Sequence, residues 1–391
     1  MIQVILFVLL TVFLVLILVA ILVLVAQEIR ARVCHKGNAK GTVRMKKAFV
    51  LLAALSVLNG GLVALTQFTA ATPPINVSGS IAELLKLELG GMKQWISIRG
   101  WDRSKPVLLF LAGGPGGTQM AAVRHELSEL EKHFVIVNWD QPGSGKSYYA
   151  IKTEEITLST YLQSAHALTE YLKGRFEQDR IYLIGESWGS ALGIFLIEKY
   201  PDSYHALIGT GQMVDFAATE RIDYQLAMEI AQEEGNTSLI KRLLANGIPP
   251  YYGSDVTWKS ALYLNYLSAK MANNPEIKNP GYNTLRDIGS SEYSLLDKIN
   301  FVRGIVSTYN HVYPQLYDID LRRDYAKLDV PVYFFLGRHD LNAPTELVEE
   351  YERILDAPAK GIVWFEHSGH SPWINETDKF VKEVLSCFLG S

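Results

Sequence analysis

The chain has 391 residues, of which 48% are hydrophobic and 20% are charged, with 30 glycines, 15 prolines and a net charge of −4. This composition excludes a disordered, collagen-like or low-complexity chain. Two cysteines are too few for a disulfide scaffold.

The N-terminus contains the most apolar part of the chain. In the stretch 1–26 only Gln3 and Thr11 are polar, and none of its residues is charged. Because about 20 apolar residues in a helix span a bilayer, this stretch predicts a first transmembrane helix over 1–26. A second, more diluted apolar stretch predicts another transmembrane helix over 48–71.

The segment between the two apolar stretches, 27–47, carries seven basic residues against Glu28, a net charge of +6, which leaves −10 for the rest of the chain. Short loops rich in Lys and Arg stay in the cytoplasm. We therefore expect a multi-pass protein of the cell membrane, with a cytoplasmic loop over 27–47, an extracytoplasmic domain after residue 72, and membrane lipid as the partner of the hairpin. The alternative is a secretory signal, because Lys46 and Lys47 precede an apolar stretch that ends in small residues at 69–71.

Strand-like and helix-like segments alternate from Ile81 onward. Residues 81–89 and 94–99 predict two antiparallel strands joined by a Gly90-Gly91 turn. Short apolar runs predict buried parallel strands. These runs are 107–111, 135–139, 181–184, 206–209, 330–336 and 361–365. The clearest predicted helices are 158–176, 190–200 and 377–389.

The alternation stops between about 212 and 329, in a segment rich in helix formers. The predicted fold class is therefore α/β, with a mostly parallel sheet, helices on both faces and an inserted helical cap. We expect core segments over 72–212 and 329–391, with the cap over 213–328 between them.

A nucleophile motif follows one of the predicted strands. Residues 185–189 read Gly-Glu-Ser-Trp-Gly, a G-x-S-x-G sequence between a strand and a helix. The tight turn needs glycine on both sides, and its geometry exposes the hydroxyl of Ser187 above the sheet. Ser187 is the predicted nucleophile.

A serine hydroxyl needs a base within hydrogen-bond reach and an acid that orients the base. On this scaffold the acid and then the histidine follow the serine along the chain. His370, on a loop before the last helix, is the predicted base, and His367 is its rival. Asp340 is the predicted acid because it follows the strand 330–336, whereas Asp329 precedes that strand and would lie at the wrong end of the sheet.

The oxyanion of the reaction requires preset main-chain N–H donors. Trp188 follows the nucleophile and is the first predicted donor. The second is expected from the glycine-rich loop after the strand 107–111, where we choose Gly114, with Gly113 as the alternative.

No cofactor and no metal is predicted. The stretch 143–147 resembles the end of a phosphate-binding loop, but Asp140 stands where that motif requires glycine. Histidines and carboxylates with the spacing of zinc ligands are absent from the sequence. The expected partner is a small peptide or ester substrate rather than nucleic acid, and the sequence leaves the oligomeric state open.

Five motifs together resemble the proline iminopeptidase family of α/β-hydrolases, over about residues 81–389. They are Gly-Gly-Pro-Gly at 113–116, Asn-Trp-Asp-Gln-Pro-Gly-Ser-Gly at 138–145, Gly-Glu-Ser-Trp-Gly-Ser at 185–190, Gly-Arg-His-Asp at 337–340 and Gly-His-Ser at 369–371. The resemblance implies an α/β-hydrolase fold and release of one N-terminal residue, often proline, from short peptides beneath a helical cap.

The resemblance is not complete. The family usually has His and Arg at the positions of Ala112 and Pro142. These departures leave a strict preference for proline open. The resemblance also implies that acidic residues of the cap hold the substrate amine, and Asp215, Glu220 and Asp223 are candidates because they lie near the start of the cap.

The leading hypothesis is a membrane-anchored serine aminopeptidase that acts through an acyl-enzyme on Ser187. A carboxylesterase or lipase with the same triad is the alternative, because acyl-enzyme chemistry also cleaves esters. A third hypothesis is a membrane binding protein that keeps the hydrolase fold without catalysis. Fold similarity alone does not decide among these substrates.

Overall fold

The computed structural model describes residues 2–33, 39–279 and 281–390. It groups the chain into two compact units. One contains 1–71 and 291–298, and the other contains 72–290 and 299–391.

The first unit is built on two long helices, α1 (Ile2–Val33) and α2 (Ala39–Thr69). By length and composition alone, segments of both (Ile5–Ala31 and Val43–Thr69) could cross a membrane. The helices extend into the predicted loop over 27–47, of which residues 34–38 lie outside the described part of the chain.

Polar contacts join the parts of this first unit. The Asn59 amide donates to the Thr11 hydroxyl at 3.1 Å between the two helices. The Leu295 main-chain N–H donates to the Thr66 hydroxyl at 3.2 Å, and the Ala71 N–H donates to the Ser291 carbonyl at 3.1 Å. Segment 291–298 is therefore hydrogen-bonded to the end of α2.

The second unit contains one eight-stranded sheet. Its strands are β1 (Ile81–Leu89), β2 (Met92–Gly100), β3 (Val107–Leu111), β4 (Val135–Asp140), β5 (Ile181–Glu186), β6 (Tyr204–Thr210), β7 (Val332–Gly337) and β8 (Lys360–Phe365). Their order is β1-β2-β4-β3-β5-β6-β7-β8. β1 and β2 are antiparallel to their neighbours, and all pairs from β4 to β8 are parallel. The predicted α/β fold class is confirmed.

The hairpin between β1 and β2 has the predicted two-glycine turn. Leu89 pairs with Met92, so Gly90 and Gly91 form a two-residue loop, and their φ values are 57° and 80°. Two positive φ values in succession match the hairpin turn that suits the twist of paired strands.

Helices lie before and after the strands and fill the long connection between β6 and β7. The helices outside that connection are α3 (Met120–Glu126), α4 (Leu158–Phe176), α5 (Trp188–Lys199), α13 (Thr345–Ile354), α14 (Pro372–Asn375) and α15 (Thr377–Leu389). Those within it are α6 (Phe216–Glu233), α7 (Thr237–Asn246), α8 (Val256–Ala272), α9 (Thr284–Ile288), α10 (Leu295–Arg303), α11 (Tyr309–Val312) and α12 (Leu321–Asp324). The insertion is helical as expected, while the boundary residues of core and cap stay predictions.

The sheet separates two hydrophobic clusters. On β3, Leu109 and Leu111 belong to one cluster, and Leu108 and Phe110 belong to the other. This alternation follows from the two-residue period of a strand, and all five β3 side chains are buried. Because the strands from β4 to β8 run parallel, their carboxyl ends lie at one edge of the sheet.

Candidate active site

Ser187 lies on the sharp turn between β5 and α5. Its φ of 53° is in the left-handed region, which few non-glycine residues occupy. A Cβ atom at Gly185 would meet the carbonyl of Gly189, and one at Gly189 would meet the carbonyl of Leu111. The turn therefore requires both glycines of the motif, as the sequence indicated.

His370 and Asp340 form a pair at the same edge of the sheet. The Nδ1 atom of His370 lies 2.9 Å from Oδ2 and 3.2 Å from Oδ1 of Asp340. The Asp340 side chain is 1% exposed and the His370 side chain is 18% exposed. Main-chain N–H groups of Asn342 and Ala343 donate to Asp340 Oδ1 at 2.8 and 3.1 Å, so the carboxylate is held in place.

The rival residues lie elsewhere. His367 is exposed, and its Nδ1 atom lies 3.1 Å from the carbonyl of Glu276. Asp329 is also exposed and precedes β7. The structure thus brings together His370 and Asp340, as the sequence predicts, although their catalytic roles stay predictions.

Main-chain atoms pack directly against each other between the strand before Asp340 and the loop of His370. A Cβ atom at Gly337, the last residue of β7, would collide with the carbonyl oxygens of Ser368 and Gly369. The strand that leads to Asp340 therefore contacts the loop that carries His370 through backbone atoms.

The environment of His370 favours its protonated form. Burial by itself lowers the pKa of the imidazole, but the charge of Asp340, its hydrogen bond and the charge of Glu186 together raise that pKa to about 9. A histidine must be neutral to accept a proton from serine. The site can therefore act as a base most readily under alkaline conditions.

The loop after β3 supplies glycines near the nucleophile. A Cβ atom at Gly113 would lie 3.3 Å from the Ser187 Cβ atom. The Gly113 N–H donates to the Gln119 side-chain oxygen at 3.2 Å, which favours Gly114 as the oxyanion donor. Trp188 is the first residue of α5, so helix geometry leaves its N–H without an intrahelical acceptor.

Ser187, His370 and both loop glycines line a single cavity of about 310 Å³, which we call the catalytic cavity. The remaining lining residues are Gly117, Thr118, Gln119, Ala122, Glu186, Tyr282, Thr284, Asp287, Phe301 and Ile305. The cavity combines the predicted nucleophile and base with an apolar wall and two carboxylates.

One of these carboxylates belongs to Glu186, whose role the sequence analysis missed. The side chain is buried and accepts hydrogen bonds from the Tyr282 hydroxyl (2.5 Å), the Ser371 hydroxyl (2.6 Å), the Trp373 indole (2.8 Å) and the Gln119 amide. Four donors match the acceptor capacity of an ionised carboxylate. The only sequence signal is an acidic residue directly before the nucleophile.

The other carboxylate, Asp287 in α9, was also missed. It is 3% exposed, and its Oδ1 atom accepts from the Arg286 guanidinium at 2.8 Å. Its Oδ2 atom is buried and has no hydrogen-bond partner within the described part of the chain. Arg286 compensates the charge of this carboxylate, and the Oδ2 atom keeps the capacity to accept a hydrogen bond from a donor.

The three carboxylates predicted to hold the amine have other surroundings. Asp215 caps α6 by accepting from the Ala218 N–H at 2.8 Å, and it pairs with Arg322 at 3.0 Å. Glu220 is buried and accepts from the hydroxyls of Ser260 (2.9 Å) and Tyr263. Neither residue is among those that line the catalytic cavity in the described structure.

Asp223 is the least satisfied of the three. It is buried, and neither carboxylate oxygen has a hydrogen-bond partner among the described residues. Burial, followed by the negative charges of Glu220, Asp340 and Glu346, raises the pKa of Asp223 well above its ordinary value. It is not a lining residue of the catalytic cavity either, so an amine-binding role for these three residues stays a prediction.

Known proteins resemble this chain over most of its length. A family model described as an alpha/beta hydrolase fold matches residues 106–237. A probable aminopeptidase of Bacillus subtilis, YbaC, is 32% identical over 316 residues, which cover 78% of this chain and 96% of that protein. A proline iminopeptidase of Saccharolobus solfataricus is 26% identical and covers 75% of this chain and 86% of its own length.

Solved structures show the same fold. The proline iminopeptidase of Mycobacterium smegmatis superposes with a TM-score of 0.57 at 16% identity, over 79% of this chain and 98% of its own. At this identity the likeness concerns the fold alone. Together with the 32% identical relative, whose length the chain covers almost completely, the motifs and the fold show that this chain is a hydrolase of the proline iminopeptidase-like family of α/β-hydrolases.

Proposed function

We propose that the protein is a membrane-anchored serine aminopeptidase of the proline iminopeptidase type, which releases an N-terminal residue from short peptides. The observation that carries this proposal is the content of the catalytic cavity. Ser187 and His370 share it with Asp287, whose buried Oδ2 atom has no hydrogen-bond partner among the described residues. A nucleophile near a carboxylate of this kind suits a substrate whose free amine is close to the scissile bond.

The proposed chemistry gives each of these groups one role. Neutral His370 takes the proton of the Ser187 hydroxyl as the oxygen attacks the substrate carbonyl. The main-chain N–H groups of Gly114 and Trp188 stabilise the oxyanion, and Asp340 stabilises the charged imidazole. His370 then protonates the departing amine, and water hydrolyses the ester on Ser187 by the same steps in reverse.

Amine recognition is assigned to Asp287. A charge-assisted hydrogen bond from the α-ammonium group would satisfy Oδ2 and would keep the N-terminal residue in the cavity. The wall formed by Ala122, Phe301 and Ile305 would contact its side chain. Such a pocket is compatible with proline but does not demand it.

An esterase remains the second candidate because the same wall is apolar. Esters with a small apolar acyl group would contact Phe301 and Ile305 and would need no carboxylate. The two functions differ in their use of the free amine.

The test compares alanine and proline 4-nitroanilides with their N-acetylated forms and with 4-nitrophenyl acetate, using the full-length chain in detergent. We expect cleavage of the free-amine anilides and little cleavage of the acetylated ones. Ser187→Ala should reduce kcat by about 10⁶-fold. The matched control is Ser159→Ala, at an exposed position on α4, which should retain full activity.

Two results would replace the proposal. Hydrolysis of the ester alone would establish an esterase. A failure of a fluorophosphonate to label Ser187 in the folded chain would instead favour a binding protein without catalysis.

We also propose that α1 and α2 anchor the protein, with the hydrolase domain outside the cytoplasm. The support is the length and apolar character of both helices and the net charge of +6 over 27–47. A protease added to intact cells should digest the hydrolase domain while a cytoplasmic marker protein stays intact. Complete protection of the domain until the cells are lysed would reverse this orientation, and release of the domain into the medium would indicate a cleaved signal.

A further inference from the structure

A second cavity, of about 420 Å³, lies beside the catalytic cavity, and His370 and Tyr282 line both. We call it the far cavity. Ser268, Met271, Ala272, Ile277 and Asn342 are among its other lining residues. Ser187, Gly113 and Gly114 line the catalytic cavity and are not among the lining residues of the far cavity.

The two cavities correspond to the two parts of a peptide substrate on either side of the scissile bond. The acyl half is bonded to Ser187 and therefore stays in the catalytic cavity. The leaving amine must lie within hydrogen-bond reach of His370, which protonates it. Since His370 also lines the far cavity, the leaving half has a place to bind on that side of the imidazole.

The lining of the far cavity is neutral apart from His370. Met271 and Ile277 provide apolar surface, and the other side chains are small or uncharged. A charged side chain bound there would lose water, and the described lining offers no lysine, arginine, aspartate or glutamate to compensate its charge.

One polar atom of the far cavity has an unused hydrogen-bonding capacity. The Oδ1 atom of Asn342 is buried and has no partner within the described residues, while its Nδ2 donates to the Ser268 hydroxyl at 3.0 Å. The Asn342 main-chain N–H donates to Asp340 at 2.8 Å. The free acceptor is therefore held at a fixed position relative to the catalytic pair.

We propose that the far cavity binds the part of the peptide that follows the scissile bond, selects an uncharged apolar residue there, and accepts one of its main-chain N–H groups at Asn342 Oδ1. The proposal deepens the serine hydrolase function above and rests on it.

Acyl transfer tests this proposal directly. The full-length chain is acylated with 4-nitrophenyl acetate, and an amino-acid amide is added as acceptor. The amine nitrogen attacks the acyl carbonyl and forms the new C–N bond as the bond to Ser187 Oγ breaks. His370 takes the proton from the amine and returns it to Ser187, so the products are an N-acetyl amide and free enzyme.

The measured quantity is the ratio of N-acetyl amide to acetate for four acceptors, which are leucinamide, glycinamide, lysinamide and glutamic acid α-amide. We expect leucinamide to give a ratio at least about tenfold higher than the two charged acceptors, which corresponds to about 1.4 kcal/mol. Equal ratios for all four acceptors would overturn the proposal.

Variants test whether the preference among acceptors arises in the far cavity. Ala272→Trp should fill the far cavity and lower the leucinamide ratio about tenfold or more. Ala261→Trp, on the same helix but lining a different cavity, should keep the ratio of the unmodified chain. Asn342→Asp should shift the preference from leucinamide toward lysinamide. A leucinamide ratio that Ala272→Trp leaves unchanged would also overturn the proposal.

Failure of the far-cavity proposal can be distinguished from failure of the proposed aminopeptidase function. Ester hydrolysis that depends on Ser187, without release of N-terminal residues from peptides, would overturn the proposed aminopeptidase function. The acceptor experiment would still test the far cavity. Absence of ester hydrolysis dependent on Ser187 would overturn the far-cavity proposal together with the serine mechanism.

Discussion

The hydroxyl of Tyr282, a residue of the cap, donates a hydrogen bond of 2.5 Å to the carboxylate of Glu186, the residue before the nucleophile. Ser371, one residue after His370, donates to the same carboxylate at 2.6 Å. A single buried negative charge thus joins the cap, the nucleophile turn and the histidine loop.

Removal of the negative charge of Glu186 should change the pH dependence of catalysis. The pKa of His370 is raised to about 9, so kcat/KM should increase about tenfold per pH unit below that value and level off above it. Because the negative charge of Glu186 contributes to the increase, Glu186→Gln should lower the pKa of His370 and move the ascending limb to lower pH. The measurement is kcat/KM for 4-nitrophenyl acetate across pH, and an ascending limb at the same pH in both proteins would contradict this explanation.

Loss of the Asp340 carboxylate should strongly reduce catalytic activity. Asp340→Asn keeps the shape of the side chain but removes the charge that orients and stabilises the imidazolium, so kcat should fall by about 10⁴-fold. Asp329→Asn is the matched control, at the exposed position before β7, and should leave kcat unchanged. Activity should be measured with both an anilide and an ester. Similar kcat values for the two variants would remove Asp340 from the triad.

Neutralising one carboxylate at a time should identify the residue that binds the substrate amine. Asp287→Asn should lower kcat/KM for alanine 4-nitroanilide by roughly 10- to 100-fold, because the hydrogen bond to the ammonium group loses its charge assistance. Cleavage of 4-nitrophenyl acetate, which has no amine, should change little. The same assay on Asp215→Asn, Glu220→Gln and Asp223→Asn tests the residues that the sequence favoured. A selective loss in one of these three, with Asp287→Asn normal, would move the amine site to α6.

A buried ion pair should contribute to the stability of the hydrolase unit. Arg99 Nε lies 2.6 Å from Glu131 Oε1, and their side chains are only 8% and 4% exposed. Glu131→Gln leaves a buried guanidinium without its counter-charge and should lower the free energy of unfolding by about 3–5 kcal/mol. Glu129→Gln removes the exposed pair with Lys132 and should cost less than about 1 kcal/mol. Urea unfolding followed by near-ultraviolet circular dichroism measures both, and equal midpoints for the two variants would contradict the prediction.

The sequence was most informative where local pattern and fold rules agree. The β3 and α4 boundaries match the predictions residue for residue, because an unbroken apolar run and a capped amphipathic segment each mark their own ends. The positions of Asp340 and His370 relative to the strands also followed, since the carboxyl ends of parallel strands meet at one edge.

What the sequence did not reveal depends on contacts between distant segments. Tyr282, Ser371 and Trp373 converge on Glu186 from 96, 185 and 187 residues away. Asp287 lies in a five-residue helix whose sequence gives no reason to place it on the catalytic cavity. The lengths of α1 and α2 also exceed the predictions, because apolar composition marks the part suited to a bilayer and not the end of helical hydrogen bonding.

The backbone contact at Gly337 has a consequence for how this enzyme can diverge. Because no side chain separates β7 from the loop at 368–369 at Gly337, a substitution elsewhere in the sheet leaves the atoms of this contact unchanged. New substrate preferences can therefore arise in the cap without a change in the backbone contact that joins the strand before Asp340 to the loop of His370.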